Sequence, residues 1–166
     1  MLGLMQNWPL TVDRVLDHAN SAFPEREVVT RAIESGELVR VNYASIYARA
    51  KQVTSALRER SIAMGDRIAT LAWNTDRHLE AWYGAMGMGA VLHTLNPRLF
   101  PEQIAWIVNH AEDKIIFFDA TFTAIVEKIA PLLKSVQLYV AFTDRAHLPR
   151  SSLPMVAYED FIAGQS

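Results

Sequence analysis

Five histidines stand at positions 18, 78, 93, 110 and 147. No two have the i, i+4 or HExxH spacing that would set imidazoles side by side as metal ligands, and the chain has no cysteine to complete such a set. His18 and His110 fall on amphipathic stretches and read as partly exposed structural residues. A serine nucleophile needs a GxSxG elbow or an SxxK pair, and neither occurs. The acidic pairs Glu25/Glu27, Glu112/Asp113 and Glu159/Asp160 sit near element ends, where caps and helix dipoles account for them better than acid–base work. Gly84, Gly87 and Gly89 look at first like a phosphate loop. Such a loop runs strand, glycines, helix, so that helix amides face the phosphate. Here the order is helix, glycines, strand, which fits helix capping and close packing instead.

What remains is a set of residues at predicted strand ends. Trp73 and Asn74 stand at the end of one strand, His93 ends the next, and Asn96 lies just beyond it. Open α/β sheets take ligands at the carboxyl ends of their strands. Trp73, Asn74, His93 and Asn96 are therefore the candidate ligand-facing residues, with packing and loop capping as the competing reading. No catalytic residue and no metal ligand is assigned.

The elements that would position them follow from the periodicity. Val12, Val15, Leu16, Ala19 and Phe23 predict a helix from about Thr11, its cap, to Phe23, ended by Pro24. Glu27–Ile33 and Glu37–Tyr43 are β-rich runs joined at Ser35-Gly36, which predicts a hairpin. Asn42 caps a second helix with Ile46, Ala50, Val53 and Leu57 buried, and Gly65 follows its end. From Gly65 strand and helix alternate: strands at Arg67–Trp73, Val91–Leu95, Lys114–Asp119 and Val136–Phe142, with helices between them, one starting at Pro101. Strands alternating with short helices imply a mostly parallel, doubly wound α/β sheet, βαβαβαβ, preceded by helix, hairpin and helix. Trp82 and Trp106 fall in apolar stripes and read as core or interface residues. Residues 1–64 form the leading unit, 65–145 the parallel core, and 146–166 a polar exit segment holding a last short helix, Tyr158–Ile162.

The chain has 166 residues, 51% of them apolar and 20% charged, with a net charge of -2. That balance is globular and argues against an electrostatic nucleic-acid binder. No apolar run approaches the roughly 20 residues of a membrane span. The opening MLGLMQNWPL lacks the basic start and long apolar core of a secretory leader, so a cytoplasmic location is expected.

Residues Gly65 to Ala120 go further. The pieces GDRIA, GAVLHTLNPRL and NHAEDKIIFFD, in this order and spacing, closely resemble the N-terminal region of AMP-forming acyl-CoA synthetases. The match extends through the hairpin EVVTRAIESGELVRVNY and the helix after it. The resemblance looks strongest to long- and medium-chain fatty acyl-CoA synthetases, with methylmercaptopropionate-CoA ligases nearly as near. It implies a two-step reaction: a carboxylate attacks ATP, accompanied by magnesium, to give an acyl-adenylate, and the thiol of CoA then displaces AMP. Fatty acid and CoA are the implied partners, and a homodimer is a further implication, since long-chain relatives pair through this region. The resemblance also implies that the phosphate loop and later motifs are missing, as in a truncated N-terminal portion. The chain by itself is then expected to bind no cofactor and to be inactive. The rival expectations are a structural or dimerisation module and a small-ligand-binding α/β domain. Phe100, where relatives often carry a Ser or Thr cap before Pro101, is expected to substitute an apolar contact for the cap.

Overall fold

The computed structural model describes Gly3 and residues 7–165. The reading of the opening ten residues as free of a leader falls partly outside the described residues. Helix α1 spans Asp13–Ala22. Its cap is Val12, with no side-chain cap bond, so Thr11 contributes only a backbone carbonyl, to Arg14 N–H. Strands β1 (Glu27–Arg31) and β2 (Leu38–Asn42) form an antiparallel hairpin whose tip carries Gly36 at φ +72°. Helix α2 spans Tyr43–Glu59; the Asn42 side chain accepts from Ser45 N–H and caps it, and Ile46, Ala50, Val53 and Leu57 are buried as the stripe requires. The left-handed residue that stops α2 is Ser61 (φ 59°), not Gly65. Gly65, at φ +84°, instead turns the chain into the sheet and donates its N–H to Gly89 O.

The sheet follows as β3 (Arg67–Leu71), α3 (Asp76–Gly87), β4 (Val91–Thr94), α4 (Pro101–Ala111), β5 (Ile115–Phe118), α5 (Thr123–Ile129) and β6 (Leu138–Ala141). A fifth strand, β7 (Met155–Ala157), lies in the polar tail where sequence reading placed only an outgoing segment, and it leads into α6 (Tyr158–Ile162). All five strands are parallel, in the order β4-β3-β5-β6-β7. Strand side chains alternate between faces. Ile68, Ile115, Phe117 and Val140 join α2, α3 and α6 on one face. Ala69, Leu71, Ile116, Phe118 and Ala141 join α4 and α5 on the other. This explains why β5 reads IIFF: it is buried on both sides. The doubly wound α/β architecture is as the alternation predicts, with one strand more.

Gly84 is the glycine that packing demands. A methyl group there would meet Val53 Cβ at 2.6 Å and Ala50 O at 2.7 Å, so its absence lets α3 lie directly on α2. Phe100 is 72% exposed, and the start of α4 is held by the Gln103 side chain accepting from Phe100 N–H. Trp82 and Trp106 are likewise partly exposed rather than core.

Candidate functional site

In the order β4-β3-β5-β6-β7 the chain reverses direction across the sheet at the β3/β5 boundary. This is the 2-1-3-4-5 arrangement, and its crevice lies outside the carboxyl ends of those two strands. The residues there are Ala72 to Thr75, after β3, and Asp119, after β5.

Asp119 is 1% exposed. One carboxylate oxygen accepts from Trp73 N–H at 2.5 Å, while its own N–H donates to Leu71 O and its carbonyl accepts from Phe122 N–H. Burial pushes its carboxyl up to about 6; the Trp73 amide opposes this, Glu34 and Asp76 add to it, and Arg77 opposes it. His78, one turn into α3, grips the other side of the same residue. A carbonyl can only accept, so Nδ1–H donates to Trp73 O at 3.0 Å, and the neutral ring's Nε2 accepts from Thr70 hydroxyl at 3.0 Å. Burial lowers the proton affinity of His78, which favours the neutral ring. The indole itself is fixed by Nε1–H donating to Thr121 Oγ1 (3.1 Å) and by the Phe122 ring at 5.1 Å, yet it stays half exposed.

Beside this lies a cavity of about 320 Å³ roofed by the hairpin, with Glu34, Arg77, Asp119 and Glu159 on its walls. Arg77 pairs with Glu34 (2.5 Å) and Glu159 (2.9 Å), and Arg49 pairs with Glu159 (3.1 Å) and Glu80 (2.8 Å). Glu80 is 1% exposed and also accepts from the buried Tyr158 hydroxyl at 2.9 Å. Burial raises both the Glu80 carboxyl and the Tyr158 phenol. Both guanidinium groups are thus already engaged by carboxylates.

Of the four residues expected to face a ligand, Trp73 and Asn74 lie in the loop at the crevice. Asn74 and Thr94 border a separate apolar groove with Val29, His78, Leu79 and Trp82, about 460 Å³ in volume. His93 turns toward the amino end of β5, where its Nδ1 bonds Asp113 at 2.8 Å. Asn96 shapes its own loop by accepting from Arg98 N–H. The structure therefore does not gather the four into one cluster. Asp119 and His78 are the residues sequence reading missed. The signal for Asp119 was present: an acid directly after the most apolar strand of a parallel sheet.

The sequence profile of the family described as "AMP-binding enzyme" matches residues 16–157. The chain is 43% identical over 98% of its length to a 3-methylmercaptopropionyl-CoA ligase of Ruegeria pomeroyi, and spans 30% of that protein. It is 44% identical over 91% of its length to a long-chain-fatty-acid–CoA ligase of Thermus thermophilus, and spans 27% of it. Among solved structures, an anthranilate CoA ligase superposes with a TM-score of 0.80 at 16% identity, over 97% of this chain and 30% of that one, which shows the shared fold. The chain thus spans about 30% of the length of the curated relatives it matches.

Proposed function

This chain belongs to the AMP-binding enzyme family, and from that premise we propose that it is the N-terminal portion of an ATP-dependent, AMP-forming acid–CoA ligase. Such an enzyme joins a carboxylate to AMP, releasing pyrophosphate, and then passes the acyl group to the thiol of CoA. The observation that carries this reading is identity above 40% to acid–CoA ligases over nearly the whole chain. Fatty acids of medium or long chain are the proposed substrates, with 3-methylmercaptopropionate as the second reading, since ligases for both match to nearly equal extent. Fatty-acid metabolism in the cytoplasm is the corresponding role. Among the described residues no helix is long and apolar enough to cross a membrane.

The proposed contribution of this chain is scaffolding rather than phosphate chemistry. Developing charge on transferring phosphates needs free cationic or amide donors, or a metal. Arg49 and Arg77 are spent on Glu34, Glu80 and Glu159. Among the described residues no three His, Asp or Glu side chains converge as metal ligands. The residues present do not fit ATP–magnesium.

The test is ATP–pyrophosphate exchange, run on the intact protein that bears this chain and on the 166-residue chain alone. Straight-chain fatty acids and 3-methylmercaptopropionate are the acids offered. Exchange with at least one acid is expected from the intact protein and none from the chain alone. Silence of the intact protein with every acid would overturn the ligase reading; turnover by the chain alone would overturn the scaffolding role.

A further inference from the structure

We propose that the cavity under the hairpin, beside the carboxyl ends of β3 and β5, is a binding site for a small organic ammonium ion whose N–H groups donate to the Asp119 and Asp76 carboxylates. The cavity measures about 320 Å³, and both acids stand on its walls. Asp119 is 1% exposed and gives one carboxylate oxygen to Trp73 N–H. Its other oxygen has no donor among the described residues. Asp76, in the first turn of α3, uses its backbone N–H on the Thr30 hydroxyl, and its carboxylate accepts from no group among the described residues. A buried carboxylate oxygen with nothing to accept from is costly until a donor or a cation meets it.

The surrounding charges favour a cation. Glu34 from the hairpin tip and Asp76 and Arg77 from α3 face Asp119, with Arg49 of α2 and Glu159 of α6 on the walls of the same cavity. The four acids of the lining outnumber its two arginines. Arg77 is bonded to Glu34 and Glu159, and Arg49 to Glu159 and Glu80, so neither guanidinium is directed at Asp76 or Asp119. Burial raises the Asp119 carboxyl only to about 6, which leaves it ionised at neutral pH.

The lining also selects the kind of cation. Among the described residues no three His, Asp or Glu side chains converge as a metal site. An ammonium group needs no such convergence: each N–H takes one acceptor, and hydrogen bonds between charged partners are the strong ones. The hydroxyls of Thr30, Ser45 and Thr75 stand on the same walls and can accept as well. Val39, Val41 and Phe142 give the cavity an apolar side. By liquid volume it has room for about ten waters, enough for a short alkyl chain behind the ammonium head.

The experiment is an NMR titration of the 166-residue chain with propylammonium chloride at about pH 7.5, following the amides of Trp73, Asp76 and Asp119. Tetramethylammonium, which has the same charge but no N–H, and sodium are the controls at equal ionic strength. Saturable shifts at these amides are expected with propylammonium alone. Asp119→Asn keeps an oxygen acceptor for Trp73 N–H but carries no charge, and is expected to weaken binding roughly tenfold or more. Asp76→Asn, at a partly exposed position, is expected to weaken it severalfold. Glu112→Gln, at the opposite end of the sheet, should leave it unchanged. Shifts no larger than those given by tetramethylammonium or sodium overturn the proposal, and this arm needs no variant. Undiminished binding in Asp119→Asn or in Asp76→Asn overturns it as well.

Discussion

The two ends of the parallel sheet use similar charges in opposite ways. At the amino end Lys114 pairs with Asp66 (2.8 Å), Arg67 with Glu112 (2.7 Å) and His93 with Asp113 (2.8 Å). Each pair links two neighbouring turns and shares no atom with the next. At the carboxyl end Glu34, Arg77, Glu159, Arg49, Glu80 and Tyr158 form one connected chain that ties the hairpin tip, α3, α6 and α2 together. Separate pairs at a surface act independently and contribute little. A shared, desolvated network couples its members, so a change at one is felt at the others. Two of the acids that burial raises, Asp119 and Glu80, sit at the coupled end and a third, Asp113, at the other; the coupled end is also the end where sheets of this kind receive ligands.

Three substitutions separate the ends. The largest effect is expected at Glu80→Ala, which leaves the buried hydroxyl of Tyr158 without its acceptor and takes one of its two carboxylates from Arg49. Breaking a buried pair from one side costs about 3–5 kcal/mol, read from urea unfolding; a loss below about 1 kcal/mol would show that the network is not coupled. His93→Ala at the amino end comes next. It removes the hydrogen bond to Asp113, a carboxylate with no exposed surface whose other oxygen already lacks a partner. About 2 kcal/mol is expected for the unsatisfied acceptor. Because burial already raises the Asp113 carboxyl and His93 opposes that, the loss is expected to shrink on acidification, as the orphaned acid takes up a proton. Glu112→Ala is the smallest. Its carboxylate is 73% exposed, and about 0.5 kcal/mol or less is expected, vanishing in high salt. The two amino-end effects should add when combined, whereas Glu80→Ala combined with Glu159→Ala should cost more than the sum of the two, because only the double change takes both carboxylates from Arg49; additivity there would erase the contrast between the ends.

Much of the fold can be read from local pattern. Asn42 announces α2, Pro101 announces α4, and the IIFF run announces a strand covered on both faces. The misreadings share a cause. β7 is three residues, Met155–Ala157, inside a polar stretch, and it is a strand only because the edge of β6 supplies its partner. Thr11 looks like a cap, but the chain enters α1 one residue later. Ser61 takes the left-handed turn that glycine usually fills, and no local signal marks it. The site was less accessible still. Trp73 could be placed at a strand end, but which neighbours hold it depends on strand order: β5 lies beside β3 although β4 intervenes in the chain. His93, on β4, reaches across β3 to the amino end of β5 and bonds Asp113 there, at the opposite end of that strand from Asp119.

The amino-acid sequence alone determined the class of fold, the helix and hairpin that lead into it, and the resemblance to ligases. These depend on periodicity, capping and motif order, all of which act over a few turns of chain. Only the tertiary structure decided which end of the sheet carries coupled charges and which carries separate ones. Burial sets that distinction, and burial is a property of what packs around a carboxylate rather than of the carboxylate. Asp113 and Asp119 are the same residue type at the two ends of one four-residue strand. One is matched by a histidine; the other accepts from a backbone amide, with Glu34, Asp76 and Arg77 around it.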